Sequence, residues 1–109
     1  MKRSIGVYLD DIFQSIRLIE EYTEGLTKKK FLDSIDKQDA VLRRFEIIGE
    51  AARHIPLEFR NNHPKIPWKK AVGMRDVMIH GYYEINLDRV WNTIKKDLPK
   101  FKEQIEELI

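Results

Sequence analysis

Residues 41 to 56 read VLRRFEIIGEAARHIP. Val41, Phe45, Ile48, Ala52 and Ile55 recur at steps of three and four, so on a helical surface they form one apolar stripe. Arg43, Arg44, Glu46, Glu50 and Arg53 fall on the other faces, where neighbours one turn apart can pair. The pattern predicts a long amphipathic helix, capped by Asp36 at its start and closed by Pro56. Gly49 and Ala51 are small. A glycine in a helix interior costs roughly 1 kcal/mol relative to alanine, so its use here predicts a second backbone crossing closely at this point.

The flanking segments carry the same period. Towards the N-terminus, Ile5, Tyr8, Leu9, Ile12, Phe13, Ile16, Ile19 and Tyr22 form a second stripe, with Ser4 as its cap and Gly25 as its end. TKKKFLDSID, from Thr27, predicts a short helical turn whose three lysines form a solvated face. Residues 56 to 67, PLEFRNNHPKIP, hold three of the four prolines and predict a connector with one helical turn at 57 to 61. A further helix is expected to start at Pro67, run through WKKAVGMRDVMI and stop at Gly81. The last element starts with Asn86 as cap and carries Leu87, Trp91, Ile94, Leu98, Phe101, Ile105 and Leu108 in a coiled-coil-like seam. Pro99 lies inside it and predicts a kink or restart near residues 96 to 98. The expected fold is all-α: an up-and-down helical bundle of four to five helices, in one domain over residues 1 to 109. Part of the final seam is expected to serve a two-fold homodimer, because the seam is long for the core of one small chain.

Composition narrows the function classes. At 109 residues the chain suits one core, and 42% hydrophobic with 35% charged residues fits a folded protein rather than a disordered one. A formal charge of +2 is too small for indiscriminate nucleic-acid binding, so any anion site must be local. Without cysteine there is no disulfide framework, thiol nucleophile or thiolate metal site, and no pair of histidines has metal-ligand spacing. No metal or other cofactor is expected. The N-terminus meets two acids before any signal-like apolar core, and no apolar run approaches membrane-spanning length, so a cytoplasmic protein is expected.

Chemistry concentrates in residues 74 to 83, MRDVMIHGYY. If Gly81 ends the helix, His80 stands at its last position, beside unpaired carbonyls and the negative end of the dipole, where a protonated imidazole is favoured. Asp76, four residues earlier on the same face, can hydrogen-bond one ring nitrogen and set the tautomer. Arg75 lies about 140° around the helix from His80, so the two converge on one ligand only if the helix ends between them or a second subunit supplies one of them. Tyr82 follows the glycine and can bring its hydroxyl near the imidazole. Spacing alone favours a histidine that merely stabilises a helix end. His54, beside Arg53 near a helix end, and His63, in the connector, carry weaker signals.

The run Arg75, four residues, His80, Gly81, Tyr82 resembles the signature of the HEPN superfamily, in particular the HepT-like toxin ribonucleases. The resemblance also takes in YLDDIFQSIRLIEEYT, RRFEIIGEAARHIP, IPWKKAVGMRDVMIHGYYEINLDRVW and DLPKFKEQIEE, in that order along the chain. It implies an all-helical homodimer that cleaves RNA without a metal ion, paired with a cognate minimal nucleotidyltransferase antitoxin. It implies that Arg75 and His80 are the catalytic pair, with Asp76 as the polar residue after the arginine. It also implies that Tyr82, which adjoins Tyr83, is the tyrosine the antitoxin modifies with AMP. The alternative is a non-catalytic helical partner that binds a nucleotide or docks on a nucleotidyltransferase through the same Arg75 and His80.

Overall fold

The computed structural model describes residues 4 to 79 and 85 to 109, with the side chains of 76 to 79 outside that description. The chain enters helix α1 (Ile5–Thr23) through Ser4, whose hydroxyl accepts from the Val7 amide at 3.4 Å. Gly25 turns the backbone out of α1 with φ of +74°, a conformation that costs a residue without a Cβ little. Thr27 then caps α2 (Lys28–Asp33), its hydroxyl accepting from the Lys30 amide at 3.2 Å.

The start of α3 (Ile35–His54) departs from expectation. Ser34, not Asp36, is the cap: its hydroxyl accepts from the Lys37 amide at 3.3 Å. Asp36 sits inside the first turn, where its charge still favours the positive end of the helix. The shift has its cause in the neighbouring helix. Gln38 reaches back and donates from Nε2 to the carbonyls of Phe31 and Leu32 at 3.0 and 2.9 Å, satisfying the end of α2 and drawing the two helices together at one residue.

Pro56 ends α3 and leads into the single turn α4 (Leu57–Asn61), as its residues predicted. In α5 (Trp68–Ile79), Pro67 takes the position just before the first helical residue, its carbonyl accepting from the Ala71 amide at 3.0 Å. The expected stop at Gly81 lies outside the described residues. Asn86 caps α6 (Leu87–Asn92), its side-chain oxygen accepting from the Arg89 amide at 3.2 Å. A π-helical turn over Thr93–Asp97 follows, and α7 (Leu98–Glu106) restarts with Pro99 in its first turn. This is the break that a proline without an amide donor predicts.

Among the described residues there is no strand, and the architecture is the expected all-α one. The central helix is α3, packed against α1 on one side and α5 on the other. Ile12, Ile16 and Ile19 of α1 meet Val41, Phe45 and Ile48 of α3 in one buried cluster, closed by Phe31, Ala71, Leu98, Phe101 and Ile105. The seam of the last element is therefore part of the chain's own core: Ile94, Leu98, Phe101 and Ile105 are buried within a single chain. Leu87 and Leu108, at the two ends of the seam, are only half-buried. No described helix is long and apolar enough to cross a membrane.

Candidate functional site at the crossing of α3 and α5

The small-residue signal in α3 marks the closest approach of two helices. A Cβ built on Gly49 would stand 2.5 Å from the Cβ of Arg75 and 2.9 Å from its Cα, and nearer still to its amide nitrogen. Only a glycine lets the two backbones meet this way. Arg75 is thus held by its main chain against α3, and the residue after the glycine, Glu50, receives its side chain.

Arg75 Nε lies 2.6 Å from Glu50 Oε2, with the two side chains 32% and 41% exposed. The other carboxylate oxygen, Oε1, accepts from Arg53 Nη2 at 3.0 Å. His54 completes the group. Its Nδ1 lies 2.8 Å from the Glu50 backbone carbonyl and 3.5 Å from Oε1. A carbonyl can only accept, so Nδ1 carries the proton and Nε2 is the basic nitrogen of the neutral ring. The imidazole stacks on Tyr8 of α1 at 5.4 Å between ring centres. Tyr8, Asp11, Arg43, Glu46, Glu50 and His54 border an open cavity of about 330 Å³.

Electrostatics follow from this geometry. The Arg53 hydrogen bond, reinforced by the charges of Arg53, Arg75 and a protonated His54, holds the Glu50 carboxyl below its ordinary value of 4.5, against an opposing desolvation. Arg53 has the larger influence although Arg75 is closer, because the Arg53 contact is an aligned hydrogen bond. Glu50 therefore stays ionised at neutral pH. Two guanidiniums thus share the one carboxylate of Glu50, with Arg43 and Glu46 paired to each other close by.

The residues singled out in the sequence fare differently. Arg75 is placed at the helix crossing. Asp76 lies on α5, but its side chain is outside the description, as are His80, Tyr82 and Tyr83 altogether. His63 has a structural role: its carbonyl accepts from Trp68 Nε1 at 3.0 Å and its ring packs on Phe59 at 4.6 Å. Among the lysines, Lys28 pairs with Asp88 at 2.6 Å, whereas Lys70 borders a second cavity, about 750 Å³, together with Arg89 and Lys96. Glu50 was not singled out by its spacing. The signal that finds it is its place beside Gly49, since the neighbour of a crossing glycine flanks the partner helix.

A three-helix core with a charged cluster at its glycine-marked crossing defines a small all-helical domain built around one arginine. The sequence matches the family described as "Ribonuclease HepT-like" over residues 12 to 108, and the chain belongs to this family, within the HEPN superfamily. It is 44% identical to "Probable ribonuclease HepT" of Thermococcus cleftensis, over 99% of this chain and 98% of that protein. It is 38% identical to a "Putative RNase" of Caldanaerobacter subterraneus, over 94% and 91% of the two chains. It is also 46% identical, over its full length, to a protein of Methanocaldococcus jannaschii named "Gamma-glutamylcyclotransferase and putative RNase". The chain spans only 49% of that last relative's length. No solved structure matches the sequence.

Proposed function

We propose that the protein is an endoribonuclease that works without a metal ion, as the toxin half of a HEPN/nucleotidyltransferase toxin-antitoxin system. One observation carries this reading: a half-exposed arginine is fixed at the helix crossing of a chain that matches, nearly end to end, a protein named as a ribonuclease.

The chemistry asks for three groups. A base takes the proton of a ribose 2′-hydroxyl, and the oxygen attacks the adjacent phosphorus. The bond to the 5′-oxygen breaks, an acid protonates that leaving oxygen, and one fragment ends in a 2′,3′-cyclic phosphate. A cation holds the charge on the phosphoryl oxygens meanwhile. Arg75 is that cation, since its planar fork matches two phosphate oxygens. His80 is the proton-transfer group and Asp76 its orienting partner. Each chain supplies one such histidine and the reaction needs two proton transfers, so the site is composite, formed by two copies of His80 across a homodimer axis. Tyr82 stands beside His80 in sequence, and AMP added to it by the partner nucleotidyltransferase places negative charge and bulk where RNA phosphate must enter.

Purified protein in EDTA should yield RNA fragments ending in cyclic phosphate, and each proton-transfer role is typically worth about 10²- to 10⁴-fold. Arg75→Ala and His80→Ala should remain helical and lose that activity. Cleavage by either variant at the parent rate overturns the assignment; nucleotide binding without cleavage by the parent replaces it with a non-catalytic binding module. Incubation with the minimal nucleotidyltransferase and ATP should add AMP to the wild type, seen by intact mass, and less or none to Tyr82→Phe. A wild type without added mass removes the modification from the scheme.

A further inference from the structure

We propose that Glu50 is the positioning residue of Arg75, holding its guanidinium by the Nε edge so that the two Nη atoms are presented together to a phosphodiester. The inference rests on the reading of Arg75 as the phosphate-holding cation, and three features of the structure carry it. The Gly49 contact sets the Arg75 backbone directly against α3, so the distance from Glu50 to the start of the arginine side chain is fixed by packing rather than by a flexible loop. The Glu50 carboxylate is itself steadied, with Arg53 on Oε1 and Arg75 on Oε2, so it does not depend on one partner for its orientation. The contact falls on Nε rather than at the Nη end of the fork that makes bidentate contacts with phosphate.

An arginine has a long, freely rotating stem, and ordering it on substrate binding opposes the reaction. A carboxylate that orders it beforehand removes that opposition from the transition state. Glu50 also cancels one of two positive charges, so removing it should strengthen the purely electrostatic attraction for RNA. Positioning and charge thus predict opposite signs for binding and turnover, which makes the role testable.

The experiment compares wild type, Glu50→Gln and Glu50→Ala in two ways. RNA cleavage is measured as kcat and KM. The mobility of the Arg75 Nε–H group is measured by ¹⁵N relaxation, its signal assigned by loss in Arg75→Lys. Glu50→Ala should lower kcat about 10²-fold, the loss expected of an error of about 1 Å in placement, without raising KM. Glu50→Gln, which keeps an acceptor at the same reach, should lie between the two. In the Arg75→Ala background, Glu50→Ala should cost nothing further. The wild-type Arg75 Nε–H should be restrained and become mobile in Glu50→Ala. An Nε–H equally mobile in both proteins overturns the proposal, whatever the cleavage rates, and so does a kcat unchanged in Glu50→Ala. If the wild type cleaves no RNA yet restrains Nε–H through Glu50, the ribonuclease reading falls and the positioning of Arg75 stands.

Discussion

At the scale of single residues, Glu50 decides the character of the crossing, because one carboxylate divides its two oxygens between two guanidiniums. Its ionisation has a consequence for folding. With its folded value held below 4.5, the carboxylate contributes stability above that pH, where both the folded and unfolded chains carry the charge. Below 4.5 the unfolded chain takes up the proton first, and the contribution fades as pH falls through the lowered folded value. The stability difference between wild type and Glu50→Gln, from urea unfolding, should thus be full at neutral pH and shrink as the solution is acidified below 4.5. A difference that grows on acidification would contradict the assignment. Arg75 was legible in the sequence as part of a spaced motif; its carboxylate partner was not, because Glu50 and Arg75 are distant in the chain and meet only when α3 and α5 pack.

At the scale of elements, two helical glycines make a matched pair with opposite expectations. At Gly49 an added methyl meets the Arg75 backbone, which cannot swing aside as a flexible side chain can. At Gly73, on α5, the same methyl meets nothing within 4 Å among the described residues. Gly49→Ala should therefore destabilise the protein by about 1 to 3 kcal/mol, the usual range for overpacking, despite the better helix propensity of alanine. Gly73→Ala should stabilise it by about 0.5 to 1 kcal/mol through propensity alone. Thermal or urea unfolding checks both, and a Gly49→Ala protein as stable as the parent would mean that the helices are not in contact there. The need for closeness at Gly49 was visible in the sequence, since a glycine inside an apolar stripe asks for a reason. The helix starts two residues earlier than its sequence predicts, since the choice of Ser34 over Asp36 depends on Gln38 satisfying the last carbonyls of α2.

At the scale of the whole molecule, the seam from Ile94 to Ile105 closes the core of one chain. The proposed composite site, with one His80 from each of two chains, would make specific activity depend on assembly. On dilution through the range where sedimentation shows dimers dissociating, activity per subunit should fall in parallel; constant activity in the monomer would remove the shared site. The sequence by itself determined the all-helical class, most helix limits, the break at Pro99 and the close crossing at Gly49. Those features follow from local periodicity, capping chemistry and missing donors or side chains, which are written residue by residue. Only the tertiary structure decided which carboxylate faces Arg75, which residue caps α3 and where the last seam is buried. The first and last depend on contacts between segments far apart in the chain, and the cap of α3 on Gln38 reaching back six and seven residues to α2; neither spacing nor propensity carries the relative placement of two helices.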